Sequence, residues 1–187
     1  MIKNIIRNIL LSEAKIKVSS SEYKKLYEND KLVVVKPLTH QASCKYGSNT
    51  QWCIAARIPD YWDRYTKKTN QYAGRNWMEP KTKKPSNFIP KSILYFIIQK
   101  NEPQTNPFSK VALQYDPNKS EFGSSNVKSP TGWDIENNII VWDATDKKTT
   151  INKLYQNIPD FNNAFYYIEE DYLEEKDNIY KRTGIWV

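Results

Sequence analysis

Four short apolar runs, Leu32–Val35, Ser92–Ile98, Lys110–Tyr115 and Ile139–Trp142, constrain the fold of this chain more than any other feature. They are rich in β-branched and aromatic residues and are bounded by charge or proline. Runs of that length and make-up read as strands, apolar enough in Ser92–Ile98 to be central. Lys110–Tyr115 follows Ser92–Ile98 across a connection at 101–109, which predicts an antiparallel pair. Trp133-Asp134-Ile135 and Ile139–Trp142 read as two strands around Asn137-Asn138. No apolar run approaches the ~20 residues that a bilayer-spanning helix needs, so no membrane span is expected.

The flanks read as helices. Ile2, Ile5, Ile6, Ile9 and Leu10 recur at helical spacing and form one apolar face, which docks on the body of the protein or on a partner. Ser19-x-x-Glu22 has the form of a capping box, predicting a short helix through Tyr23, Leu26 and Tyr27 and a helical segment over 1–30. Pro59-Asp60 opens a brief helix through Tyr61, Trp62 and Tyr65. Gly74, Pro80, Pro85 and Pro90 then mark a long loop, so that 57–90 reads mostly as a connection. Thr149 or Thr150 caps a helix carrying Ile151, Leu154 and Tyr155. Pro159 interrupts it, and a last helix carries Phe161, Ala164, Phe165 and Ile168, placing the C-terminal helices over 149–178. The expectation is one α+β domain over 1–187: a mostly antiparallel sheet of about five strands, with an N-terminal helix and C-terminal helices packed on it. An aromatic content of 13% can bury a core and argues against a disordered chain.

Charge is unevenly spread. Residues 1–110 carry a net charge of +12 and residues 111–187 a net of −5. Such an excess points to a polyanionic partner, or to one half of the chain answering the other. The start of the chain lacks the long apolar stretch and small-residue cleavage site of a signal peptide, so a cytoplasmic setting with reduced thiols is expected. Two cysteines do not make a disulfide scaffold, and a single histidine excludes sites that need two from one chain.

The segment Thr39–Ala55 follows the first run directly and holds the only histidine, His40, and both cysteines, Cys44 and Cys53. If 50–56 is helical, Ser48, Asn49 or Thr50 caps it. Four readings compete. In the structural one, Trp52 and Cys53 are core residues, His40 bonds backbone, and Gly47 serves a turn. In the second, Ser43, Tyr46, Gly47, Thr50 and Trp52 line a pocket with His40 for a nucleotide, a phosphate or a nucleic-acid end. In the third, Cys44 or Cys53 is a nucleophile with His40 as its base, the four-residue spacing of His40 and Cys44 suiting one face of a helical turn. No orienting acid is evident beside them. The fourth is zinc on His40, Cys44 and Cys53, against which stand the missing Cys-x-x-Cys knuckle and fourth ligand. No metal and no cofactor is expected.

The stretch Tyr46-Gly47-Ser48-Asn49-Thr50-Gln51-Trp52-Cys53 resembles a Tyr-Gly-x-x-Thr-x-Trp-Cys signature in small proteins of tailed bacteriophages. Ser109–Leu113 and Val141–Asp146 fit the same pattern, so the resemblance spans about residues 32–146. It implies a bacteriophage origin, hence the cytoplasm of an infected host cell, and a shared pocket. It implies no reaction.

Between 64 and 91 the basic residues Arg64, Lys67, Lys68, Arg75, Lys81, Lys83, Lys84 and Lys91 face one acid, Glu79, with Tyr65, Tyr72, Trp77 and Phe88 interleaved. Cations for phosphates and rings for bases suit a single nucleic-acid strand, each stacked base contributing roughly 1–3 kcal/mol. A solvated lysine-rich loop has the same composition. The run Glu169–Asp177 reads as a solvated acidic helix face. Asp134, Asp143 and Asp146 read as turn caps before they read as Mg²⁺ ligands. The leading expectation is a nucleic-acid- or nucleotide-binding accessory protein. The alternative is a small enzyme centred on His40 and Cys44 or Cys53, acting on a nucleotide or protein substrate. A third is a structural module that docks on a host protein.

Overall fold

A computed structural model of the chain describes residues 16–66, 90, 92–117 and 139–183. The chain is α+β. Among the described residues six strands form one antiparallel sheet: β1 (Tyr23–Glu28), β2 (Leu32–Pro37), β3 (Ile93–Gln99), β4 (Lys110–Tyr115), β5 (Ile139–Asp143) and β6 (Lys148–Thr149). Their spatial order is their chain order, so each strand pairs with its neighbours in sequence. Among the described residues four helices accompany them: α1 (His40–Tyr46), α2 (Pro59–Thr66), α3 (Ile151–Asn157) and α4 (Phe161–Thr183). Among the described residues no helix is long and apolar enough to cross a membrane.

Successive strand side chains point to opposite faces, and here both faces are covered. On one face Leu32, Val34, Tyr95, Ile97, Val111 and Leu113 pack against Leu154 of α3 and Phe161, Ala164, Phe165, Ile168 and Tyr172 of α4. The α4 residues recur at i, i+3, i+4 and i+7, which keeps one stripe on the sheet. On the other face Val35, Leu94, Phe96 and Ala112 pack under Trp52 and Ile54, with Tyr46, Trp62 and Tyr65 at the margin. The chain between β2 and α2 therefore supplies the second cover of the sheet.

Most expected elements are present near their expected places. The runs give β2 to β5, the 101–109 connection joins β3 and β4 antiparallel, and Thr150 caps α3 by accepting from the Lys153 amide. The helix expected through Tyr23, Leu26 and Tyr27 is instead strand β1. The signal behind that expectation is real but local: the Ser19 amide donates to the Glu22 carboxylate at 2.8 Å, and one 3-10 turn forms over Ser20–Glu22. Beyond it, pairing with Val33–Pro37 of β2 claims the backbone, with a bulge between Lys25 and Tyr27. Sheet pairing with a buried neighbour overrides a cap worth about 1 kcal/mol. The segment 1–30 is thus not wholly helical, and the sheet gains strand β1. The isoleucine stripe at 2–10 and the strand expected at Trp133–Ile135 lie outside the described residues.

The acidic run at 169–177 is not simply a solvated face. Asp171 on α4 is buried and accepts from Lys36 Nζ and Tyr95 OH, both at 2.8 Å, while Lys24 Nζ lies 2.6 Å from its other oxygen. Lys36 also donates to Glu175 at 2.7 Å. Burial pushes the Asp171 carboxyl up, but the Lys24 and Lys36 ammonium groups and the Tyr95 hydroxyl more than reverse this. It is held below the usual carboxylate range.

Candidate functional site

Strand β2 ends at Pro37, and Thr39 then caps α1 by accepting from the Ala42 amide at 3.2 Å. The helix in this segment therefore lies at 40–46. Of the stretch 50–56, expected as the helix, only Cys53–Ala55 coils, as a single 3-10 turn. The pieces are fastened to each other and to the sheet. Ser43 Oγ donates to the Ile54 carbonyl at 2.8 Å, and Thr50 Oγ1 donates to the Gly47 carbonyl at 2.6 Å. The Trp52 indole N–H donates to the Asp143 carbonyl at 2.6 Å, and its ring packs on Phe96 with centroids 4.9 Å apart. Lys110 Nζ on β4 donates to the carbonyls of Tyr46 and Ser48 at 3.0 and 2.6 Å, satisfying backbone acceptors where α1 ends.

Gly47 is needed for space and not for backbone freedom. Its φ of −86° suits any residue. A Cβ there would stand 2.6 Å from Ala55 Cβ and 2.8 Å from the Ser43 carbonyl oxygen, so the 3-10 turn can sit against α1 only if that carbon is missing. Tyr46 is half-buried against Tyr23, with ring centroids 4.9 Å apart, and burial first and then Tyr23 push its hydroxyl well up. Of the residues expected to line a ligand pocket, Ser43, Gly47, Thr50 and Trp52 thus hold the cover together, and Ser43 and Trp52 are sealed inside it. Their polar groups are spent on internal hydrogen bonds.

His40 and Cys44 do meet, as their spacing suggests. Cys44 Sγ is 3.3 Å from His40 Nε2, which itself lies 2.6 Å from the Ala56 carbonyl oxygen. A carbonyl only accepts, so Nε2 carries a proton and donates it to Ala56. Nε2 then has no lone pair facing the thiol, and Sγ, 3.5 Å from the same carbonyl, donates there as well. This is a pair at rest and not a base poised on a nucleophile. Cys53 lies apart, lining a hollow with Trp52, Tyr65 and Trp142. The three residues expected at one centre are divided between two places. Among the described residues no group of three or more His, Cys, Asp or Glu side chains could hold a metal.

No protein-family model, curated protein or solved structure matches this chain. An open hollow of about 550 Å³ lies beside His40, lined also by Lys17, Gln41, Cys44 and Arg57. Two cations and an imidazole face it, and among the described residues no carboxylate lines it. Gln41 fixes one wall by donating to the Lys17 carbonyl at 2.8 Å. Sequence reasoning missed Lys17 and Arg57, because the hollow is assembled from the chain before β1, from α1 and from the end of the 3-10 turn. No local motif marks such a meeting.

Of the expected nucleic-acid contacts, Arg64 lies on α2 with its guanidinium 5.3 Å from the Tyr61 ring centroid. Lys67, Lys68, Tyr72, Arg75, Trp77, Lys81, Lys83 and Lys84 lie outside the described residues, as does Asp134. Asp143 caps a turn: its Oδ1 accepts from the Thr145 amide, the Thr145 hydroxyl and the Lys147 amide at 2.8, 2.7 and 3.1 Å.

Proposed function

We propose that this protein binds a phosphate-bearing ligand, a nucleic acid or a nucleotide, with the hollow at Lys17, His40 and Arg57 taking the phosphate. The observation that carries this reading is the lining: Lys17, His40 and Arg57 converge on one open hollow of small-ligand size. Its volume falls in the range of small-ligand sites, about 300–1,000 Å³. Two features of the sequence support a longer ligand. The first 110 residues carry a net charge of +12, and in the sequence Arg57 is followed by α2 with Arg64 and then by the basic aromatic stretch. The bacteriophage setting suggested by the Tyr46–Cys53 signature belongs to the same proposal.

The test is a titration of a labelled single-stranded oligonucleotide and of ATP, with wild type and with the double variant Lys17→Glu/Arg57→Glu. The expected loss is about tenfold or more in the variant, and the logarithm of the wild-type affinity for the oligonucleotide falls with the logarithm of salt by about 0.7 per phosphate engaged. Salt-independent binding, or an unchanged affinity in the variant, overturns the proposal.

A second reading, thiol chemistry, rests on the 3.3 Å approach of Cys44 to His40. The bond from Nε2 to Ala56 ranks it second. In a Cys53→Ser background, iodoacetamide should alkylate the buried Cys44 slowly at about pH 6. Fast alkylation at that pH, lost in His40→Gln, would show an ion pair and move this reading to first place.

A further inference from the structure

The hollow that holds Cys53 has a different character from the one at His40. Its walls are the rings of Trp52, Trp142 and Tyr65, with Leu94 and Ala112 at its floor, and Asp146 stands at its rim. The Gln114 amide also reaches it but is already used, accepting from Trp142 Nε1 at 3.2 Å and donating to Ser92 Oγ at 2.9 Å. The Asp146 carboxylate makes no hydrogen bond or ion pair with any described residue. Asp146 sits in the β5–β6 turn at a φ of 62°, and the three bonds to Asp143 Oδ1 fix the backbone around it. Burial first, and then the charge of Asp143, push its carboxyl up. Among the described residues no side chain forms an ion pair with the negative charge at this rim.

Aromatic faces with one unanswered carboxylate make a surrounding for a cation. The neighbourhood already shows the preference, since Lys148 Nζ lies 5.4 Å from the Trp142 ring centroid. Size narrows the choice. The hollow offers about 40 Å³, against the ~10–15 Å³ that a single water needs, so it holds about three non-hydrogen atoms and has no room for a nucleobase. We propose that this hollow binds a small primary ammonium group, either the Cε–Nζ end of a lysine side chain or a free short-chain amine. The rings supply the cation–π faces, Asp146 the counter-charge, and Leu94 and Ala112 the contact for the stem. The proposal stands independently of phosphate binding at His40.

Its test is a titration of the full-length ¹⁵N-labelled protein with ethylammonium at neutral pH and constant ionic strength, read on the indole N–H signals of Trp52 and Trp142. Ethanol serves as the uncharged counterpart. Three non-hydrogen atoms cannot bind more tightly than about 1 mM, so saturable shifts in the millimolar range are expected. The affinity should be weaker by about fivefold or more in Asp146→Asn. Asparagine tolerates a positive φ, so that variant keeps the turn. Tighter binding of N-acetyl-lysine methylamide than of ethylammonium assigns the site to a protein side chain, and the reverse assigns it to a free amine. Equal shifts with ethanol, an unchanged affinity in Asp146→Asn, or no saturable shift with either amine overturns the proposal.

Discussion

Replacing Asp171 with alanine should destabilise the protein by about 3–5 kcal/mol, the range for removing one partner of a buried ion pair. Asp171 and Lys36 are 5% and 6% exposed, and Lys36 without Asp171 keeps only the partly exposed Glu175. The Tyr95 hydroxyl loses its acceptor at the same time. Replacing both members, as Lys36→Met/Asp171→Leu, should cost far less than the single change, because no unpaired charge stays inside. Urea unfolding of the three proteins reads both effects. A single-variant loss below about 1 kcal/mol would mean that water reaches the pair. The same group sets a pH dependence. The Asp171 carboxyl lies below its ordinary value in the folded protein, so its contribution is present above the unfolded value of about 3.9 and is lost as pH falls through the folded one. The urea midpoint of wild type should therefore drop below about pH 4, and that of Asp171→Ala should drop less.

Trp52→Ala should cost about 3–5 kcal/mol, the usual range for truncating a buried aromatic. Trp52 is 3% exposed, rests on Phe96 and ties its indole to the Asp143 carbonyl. Losing it opens the second apolar face of the sheet and frees the end of the α1 cover. Gly47→Ala acts on the same cover by the opposite means, forcing a carbon into filled space at a cost of about 1–3 kcal/mol. Thermal or urea unfolding measures both. If Trp52 served mainly as a ligand wall, its truncation would leave stability within about 0.5 kcal/mol of wild type, which would contradict the packing described above.

The parts of the fold that were legible in the sequence are those whose signal is local and whose burial is two-sided. Strands β2 to β5 have apolar residues at nearly every position because both faces of the sheet are covered. Helices α2, α3 and α4 announce themselves through Pro59, Thr150 and the Phe161–Ile168 stripe. Strand β1 was hidden because Ser19 and Glu22 form a genuine helix-start contact, while the pairing that decides the conformation comes from β2. Asp171 was hidden among glutamates because its burial depends on Lys36, 135 residues away. At the candidate site, the four-residue spacing of His40 and Cys44 was enough to bring them together on α1. Lys17 and Arg57 belong to segments that only the folded chain joins, and composition gave no reason to prefer them over the other cations.

The sheet places each strand beside its predecessor, so its hydrogen-bond pattern does not depend on how much chain lies between two consecutive strands. The connection between β2 and β3 can therefore change in length beyond α2 without rethreading the backbone, as long as the cover built by Trp52, Ile54, Trp62 and Tyr65 is kept. Length added there leaves both the strand ladder and the packing above it untouched.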